Sequence, residues 1–221
     1  MRKSKTNAVS LDERQRFFNR KLLIDFSASL HERIYQEQLS KAVSHLKKNH
    51  PILILLSEHE SIIRSLHLLN KVNKGLQKSG QFENVTVELW EQLLQAVENF
   101  KLGRRHFEKE ETYLFPRLVE RGLYGNVKMI MSDHREVHDL IDRLILAFEN
   151  GLEERYEETI SAIDAIVTIL SEKIQKLVFK ENYFLYPSAI RKITGERTWR
   201  EIRSEWKDIG KFRIKKAHFA A

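Results

Sequence analysis

The chain has 221 residues, 42% of them hydrophobic, with 38 Lys and Arg against 31 Asp and Glu for a formal net charge of +7; this is a globular composition that supports one sizeable core with extensions. There is no cysteine, which excludes a disulfide framework, a thiolate nucleophile and a cysteine-ligated zinc or iron–sulfur cluster, so any metal site must be built from His, Asp and Glu. The basic start meets Asp12 and Glu13 before any apolar run, and no uncharged apolar stretch reaches about 18 residues, so we expect a cytoplasmic protein with no transmembrane segment.

In chain order, residues 10–48 read as one broken helix or two, LDERQRFFNRKLLIDF and SLHERIYQEQLSKAVSHLKKN, interrupted near Ser27–Ser29. Pro51 opens the first core helix, PILILLSEHESIIRSLHLLNKVNKGL, whose apolar positions 52, 55, 56, 59, 62, 63, 66 and 69 trace one face. KSGQFEN is a turn, and a long second helix then ends near Gly122, with Gly125 and Asn126 marking the next connection. A third helix runs to about Asn150–Gly151, and a fourth from about Leu152 to Ile193, where TGERT stops it. ERTWREIRSEWKDIGKF is a short amphipathic helix carrying Trp199, Ile202 and Trp206. The expected fold is all-α: an up-down-up-down four-helix bundle over residues 51–193, with a helical N-terminal extension over 1–50 and a basic C-terminal helix and tail over 194–221.

Two echoes within the chain single out a set of polar residues. RRHFEKEETYLFPRL (104–118) and QKLVFKENYFLYPSA (175–189) match at an offset of 71, which pairs Lys109 with Lys180, Glu110 with Glu181, Phe115 with Tyr186 and Pro116 with Pro187. LLSEHESIIRSL and IMSDHREVHDLI match at an offset of 75, pairing His59 with His134, each with an acid just before it. The inventory is two half-sites: His59, His106 and Glu110 from helices one and two, then His134, His138 and Glu181 from helices three and four. His106 is echoed by Leu177, which is the one gap.

Residues four apart stack on one helix face about 6 Å apart, so His106/Glu110 and His134/His138 can each aim two donors at one ion or at neighbouring ions. His59 lies 8 residues after Pro51, about 12 Å from that helix start, and His134 is about equally deep in helix three. Glu110 and Glu181 lie roughly 16 Å below the ends of helices two and four. In an antiparallel bundle these depths coincide within a turn or two. Neutral imidazoles suit divalent iron, zinc or copper, and carboxylates can bridge two cations, whereas two inward carboxylates without metal would carry a heavy desolvation cost. The remaining histidines, His31, His45, His50, His67 and His218, read as exposed or structural, and the aromatics Phe107, Tyr113, Phe115, Phe179, Phe184 and Tyr186 as core packing and helix-end anchors.

The segments HFEKEETYLFP, DHREVH, SEH and FKENYFLYP resemble the hemerythrin-like (HHE) cation-binding family, over about residues 51–190. The resemblance implies a bundle holding a non-haem di-iron centre with five histidines and two bridging carboxylates. Carried over by position, it implies that His59 and His106 hold one iron, that His134 and His138 hold the other, and that Glu110 and Glu181 bridge them, with the fifth family histidine falling on Leu177. The function so implied is binding or sensing of O2, NO or a related oxidant, or iron handling. An alternative is a regulatory or scaffold bundle with a partly degenerate site, partnered or paired as a homodimer through its terminal helices.

Residues 1–50 carry 11 basic residues against 5 acidic and residues 191–221 carry 10 against 4, while the segment between carries 17 against 22. These basic ends suit an anionic surface, and a membrane-surface or nucleic-acid partner is a further alternative, but we expect no specific nucleic-acid recognition.

Overall fold

The computed structural model describes residues 33–150, 155–207 and 209–210. The chain divides into two compact units, Met1–Ser44 and His45–Ala221. In the first, residues 33–43 form a helix, α1; the expected break near Ser27–Ser29, together with His31, lies outside the described residues, as does His218.

The second unit is a bundle of helices, with no strand among the described residues. Helix α2 (Pro51–Ser79) is followed by a 3₁₀ turn (Phe82–Asn84) and by α3 (Val87–Lys109). A π turn (Glu110–Leu114) joins α3 to α4 (Phe115–Val119) within one long helix. Next come α5 (Tyr124–Asn150) and α6 (Tyr156–Lys180), and a second π turn (Glu181–Leu185) joins α6 to α7 (Tyr186–Lys192). Helix α8 (Glu196–Glu205) completes the order. Helix α2 packs on α3 and α6, and α5 packs on α6 and α3, so neighbours in the sequence are neighbours around the bundle.

Local chemistry sets the ends. His50 is the N-cap of α2, its Nδ1 accepting the Ile52 N–H at 3.2 Å, and Pro51 fills the first helical position, where a missing N–H costs nothing. The long helix closes after Val119 with a Schellman turn: Leu123 N–H bonds Leu118 O and Gly122 N–H bonds Val119 O, both at 3.0 Å, around Gly122 at φ +85°. The second helix thus ends near Gly122, as the sequence suggests, and the next begins at Tyr124, before the Gly125–Asn126 pair. Gly125 and Asn126 belong to the first turn of α5, where helix-breaking residues are tolerated best.

The α2 stripe is buried at Ile52, Leu55, Ile62, Leu66, Leu69, Val72 and Leu76, facing Leu93, Ala96 and Phe100 of α3 and Ile163, Val167, Leu170 and Ile174 of α6 among the core residues. Leu56 and Ile63 flank this stripe and are half-buried. The C-terminal helix closes one flank. Trp199, Ile202 and Trp206 are buried, α8 packs on α2 and on the first π turn, and Arg117 grips Glu205 through two bonds at 2.8 and 2.9 Å.

The N-cap makes bundle stability sensitive to acid. Burial, with the nearby His45 charge adding to it, holds His50 down to about 4 from 6.5, so the unfolded chain binds this proton more readily. Stability from this residue is therefore full above pH 6.5 and declines as the pH falls toward 4. His50→Asn keeps a capping acceptor without the titration. The urea midpoint of the wild type should fall relative to that of His50→Asn as the pH drops through that window; parallel curves would show that the cap does not titrate.

Candidate metal centre

Inside the bundle five polar side chains meet that are wholly or almost wholly buried: His59, His106, Glu110, His134 and Glu181. Each comes from a different place in the sequence. His59 stands on α2, His106 on the last turn of α3, His134 on α5, and Glu110 and Glu181 open the two π turns. Their ligand atoms fall into two groups, His59–His106–Glu181 and Glu110–His134–Glu181, with Glu181 common to both.

The contacts are short. His59 Nε2 lies 2.9 Å from Glu181 Oε2, His134 Nε2 lies 2.8 Å from Glu181 Oε1 and 3.6 Å from Glu110 Oε2, and His106 Nε2 lies 3.3 Å from Glu110 Oε2. The outward nitrogen of each ring is fixed by an oxygen: His59 Nδ1 donates to Asn182 Oδ1 at 2.6 Å, His106 Nδ1 to Glu58 Oε2 at 3.2 Å, and His134 Nδ1 to Glu111 Oε1 at 2.7 Å. With the proton held on Nδ1, the Nε2 lone pair faces the centre, which is the arrangement metal-ligating histidines adopt. Glu58 is itself held by the buried Lys109 ammonium.

The donor set fits a cation. Among the described residues, His106 Nε2, Glu110 Oε2 and Glu181 Oε2 are buried with no hydrogen-bond partner. Orphaned polar atoms at the centre of a bundle are costly, and three that converge with two further imidazole nitrogens are satisfied together by a positive ion. In the metal-free chain, protons do part of this work. Burial alone would lower His106, but the carboxylates of Glu110 and Glu58 outweigh it and raise it to about 9. Burial is likewise overcome at His134, where Glu111 and Glu181 raise it to about 10, and at Glu181, which His134 and His59 lower to about 2.

The internal duplication is visible as geometry. His59 meets Glu181, Asn182 and Tyr186 from the other half, and His134 meets Glu110, Glu111 and Phe115, the residues 71 positions earlier. Lys109 pairs with Glu58, and Lys180 pairs with Asp133 at 2.7 Å. Two of the differences between the halves bear directly on the expected ligands. Leu177, where the echo of His106 would stand, is one of the buried hydrophobic residues, at 2% exposure. His138 stands outside both ligand groups, with its side chain 27% exposed and Nε2 3.8 Å from Glu111 Oε1. Lys173, one turn before Leu177, pairs with Glu136 at the surface and does not replace the missing ligand.

Sequence reasoning missed the residues that orient the imidazoles: Glu58, Lys109, Glu111 and Asn182. Their signal was present, since an acid precedes each echoed histidine and a lysine precedes each echoed glutamate. It also missed Tyr186, assigned to packing, whose Oη donates to Glu110 Oε1 at 2.8 Å and lies 3.2 Å from His59 Nε2.

Residues 50–188 match the family described as the Hemerythrin HHE cation binding domain. The chain belongs to that family. A comparison with curated proteins found no match. The hemerythrin domain covers α2 through the start of α7 and so includes every residue of the cluster. Among the described residues, no helix is long and apolar enough to cross a membrane.

The raised imidazoles give a signed pH dependence for the metal-stripped hemerythrin domain. Protonated His106 and His134 contribute stability that is complete below pH 6.5 and lost as the pH rises through about 9 and 10. Chelator-treated wild type should lose more of its denaturation midpoint between pH 7 and 10 than His106→Gln. Equal losses would mean that His106 carries no proton in the folded metal-free chain.

Proposed function

We propose that the chain is a non-haem iron protein of hemerythrin type that binds a small diatomic oxidant, O2 or NO, in sensing, protection or iron handling. The observation that carries this reading is the convergence of three buried ligand atoms that lack a hydrogen-bond partner, His106 Nε2, Glu110 Oε2 and Glu181 Oε2, on the Nε2 atoms of His59 and His134. Three imidazoles with two carboxylates form a donor set that suits iron, and bridging carboxylates offset the charge of two cations. His59, His106, Glu110 and Glu181 would hold one ion; His134, with the same two carboxylates and with His138 recruited from its present place, would hold a second.

Iron held by these residues would supply a position at which a diatomic ligand could bind. The protein supplies the rest. Asn182, Glu58 and Glu111 keep the rings in one tautomer, and Phe107 and Phe115 pack on His134 at ring distances of 4.7 and 5.4 Å, excluding water from its face. The side chains of Glu111 and His138, 30% and 27% exposed, border the His134 side, whereas His59 and His106 are closed off. A small ligand therefore has its shortest approach from the half that lacks an imidazole at 177.

Leu177 also favours a second reading, in which a single ion is held tightly and the bundle serves as a regulatory or scaffold module. Metal stoichiometry separates the two. His106→Ala should lower bound iron by at least about tenfold in affinity under chelator competition while helical circular dichroism is kept; unchanged iron content would remove His106 from the ligand set. Leu177→His, an exchange of similar volume one turn before Glu181, should raise stoichiometry toward two irons per chain and strengthen ferric absorption after exposure to air. If wild type already holds two irons tightly, position 177 is no gap in the centre.

A further inference from the structure

The two halves of the bundle repeat one another, and where the first half has Phe115 the second has Tyr186. Both rings occupy corresponding places: Phe115 leans on His134 and Tyr186 stacks on His59, each with ring centroids 5.4 Å apart. Both are essentially inaccessible to solvent. The difference between them is one oxygen atom. That oxygen lies 2.8 Å from Glu110 Oε1 and 3.2 Å from His59 Nε2, among atoms that face the candidate metal rather than in the apolar core.

The backbone explains how the ring gets there. Each residue of a regular helix advances by about 100°, so a side chain five positions after Glu181 would point roughly 140° away from it. The π turn over Glu181–Leu185 absorbs the extra residue, with the Tyr186 N–H bonding the Glu181 carbonyl, and returns Tyr186 to the face of Glu181. A phenol placed there by packing alone would need one acceptor, which Glu110 Oε1 provides. Its second close neighbour is a ligand nitrogen that is itself directed at the centre, as expected of a group that shares the ion.

We propose that Tyr186 Oη is a further ligand of the metal, on the side of His59 and His106, giving the centre an oxygen donor that the resemblance to its family does not supply. The inference rests on the iron reading above. Coordination would exchange the phenol O–H bond for an oxygen–metal bond; the proton would pass first to Glu110 Oε1, which accepts the Tyr186 hydrogen bond, and from there to a solvent base, and no electron is transferred. Phenolate oxygen is a hard anionic donor, and tyrosine is an established protein ligand of ferric iron. A tyrosinate on this side would hold the ferric state of the closed half-site more strongly than imidazole alone.

The test is spectroscopic. Full-length chain loaded with iron and oxidised in air should show a visible phenolate-to-iron charge-transfer band, and excitation into that band should enhance tyrosinate ring vibrations in the Raman spectrum. Tyr186→Phe, which copies the natural Phe115, should retain iron and helical content yet lose both the band and the vibrations. Iron bound without tyrosinate vibrations, or vibrations that survive in Tyr186→Phe, would overturn this ligand while leaving the iron centre standing. A wild-type chain that takes up no iron would overturn both.

Discussion

Glu110 and Glu181 are entirely shielded from solvent at the middle of a helical bundle, and the surrounding structure follows from that constraint. An ionised carboxylate taken out of water carries a penalty of several kcal/mol even after the protein relaxes. Three imidazoles, a phenol and, beyond them, Glu58, Lys109, Glu111 and Asn182 are arranged so that almost every polar atom near these carboxylates has a partner. The exceptions all point inward. A site that left its outer atoms orphaned would be a packing fault; one that leaves only its innermost atoms orphaned is a receptacle for positive charge.

The same two residues mark the places where the helices depart from regular geometry. Pro116 and Pro187 have no N–H to offer and would press their rings on the carbonyls of Thr112 and Tyr183 in an unbroken helix. The chain widens one turn earlier, with Phe115 N–H reaching Glu110 O and Tyr186 N–H reaching Glu181 O. The helices therefore continue rather than end, and the residues after each π turn are rotated onto the face that carries the glutamate. Proline, which usually stops a helix, here controls which aromatic ring looks at the metal side.

Much of this was legible from the residues alone, for identifiable reasons. The four long helices follow from a 3.6-residue apolar period and from scarce, well-placed Gly and Pro, and Glu110, Glu181, His59, His106 and His134 follow from the two echoes. The π turns were not legible, because a proline inside a helical pattern says that the helix must adjust but not how. Gly122, read as the end of the second helix, closes the Schellman bonds with its positive φ, whereas Gly125 and Asn126, read as a connection, lie inside α5, since a glycine marks a boundary only to within a few residues. His138, four residues beyond His134, shares its face, but its ring meets Glu111 and stands outside both ligand groups, which spacing alone does not reveal. Tyr186 was read as packing because a tyrosine in an aromatic-rich helix end is usually that; only the position of its oxygen distinguishes the two roles.

The asymmetry between the halves bears on what the site can do. On the side of His59 and His106 the imidazoles are buried, oriented by Asn182 and by the Glu58–Lys109 pair, and accompanied by Tyr186. On the side of His134 the orienting carboxylate of Glu111 is partly open to solvent, the corresponding aromatic is a phenylalanine, and Leu177 offers no ligand. Duplication of one helical hairpin would have produced two equal half-sites. On the proposed reading, the leucine at 177 and the phenol oxygen of Tyr186 would instead leave one half suited to holding an ion and the other to receiving whatever approaches it. On that reading a rigid half would limit movement where an ion is held and a more open half would leave room for exchange, a division that rests on two of the positions where the repeat fails to repeat.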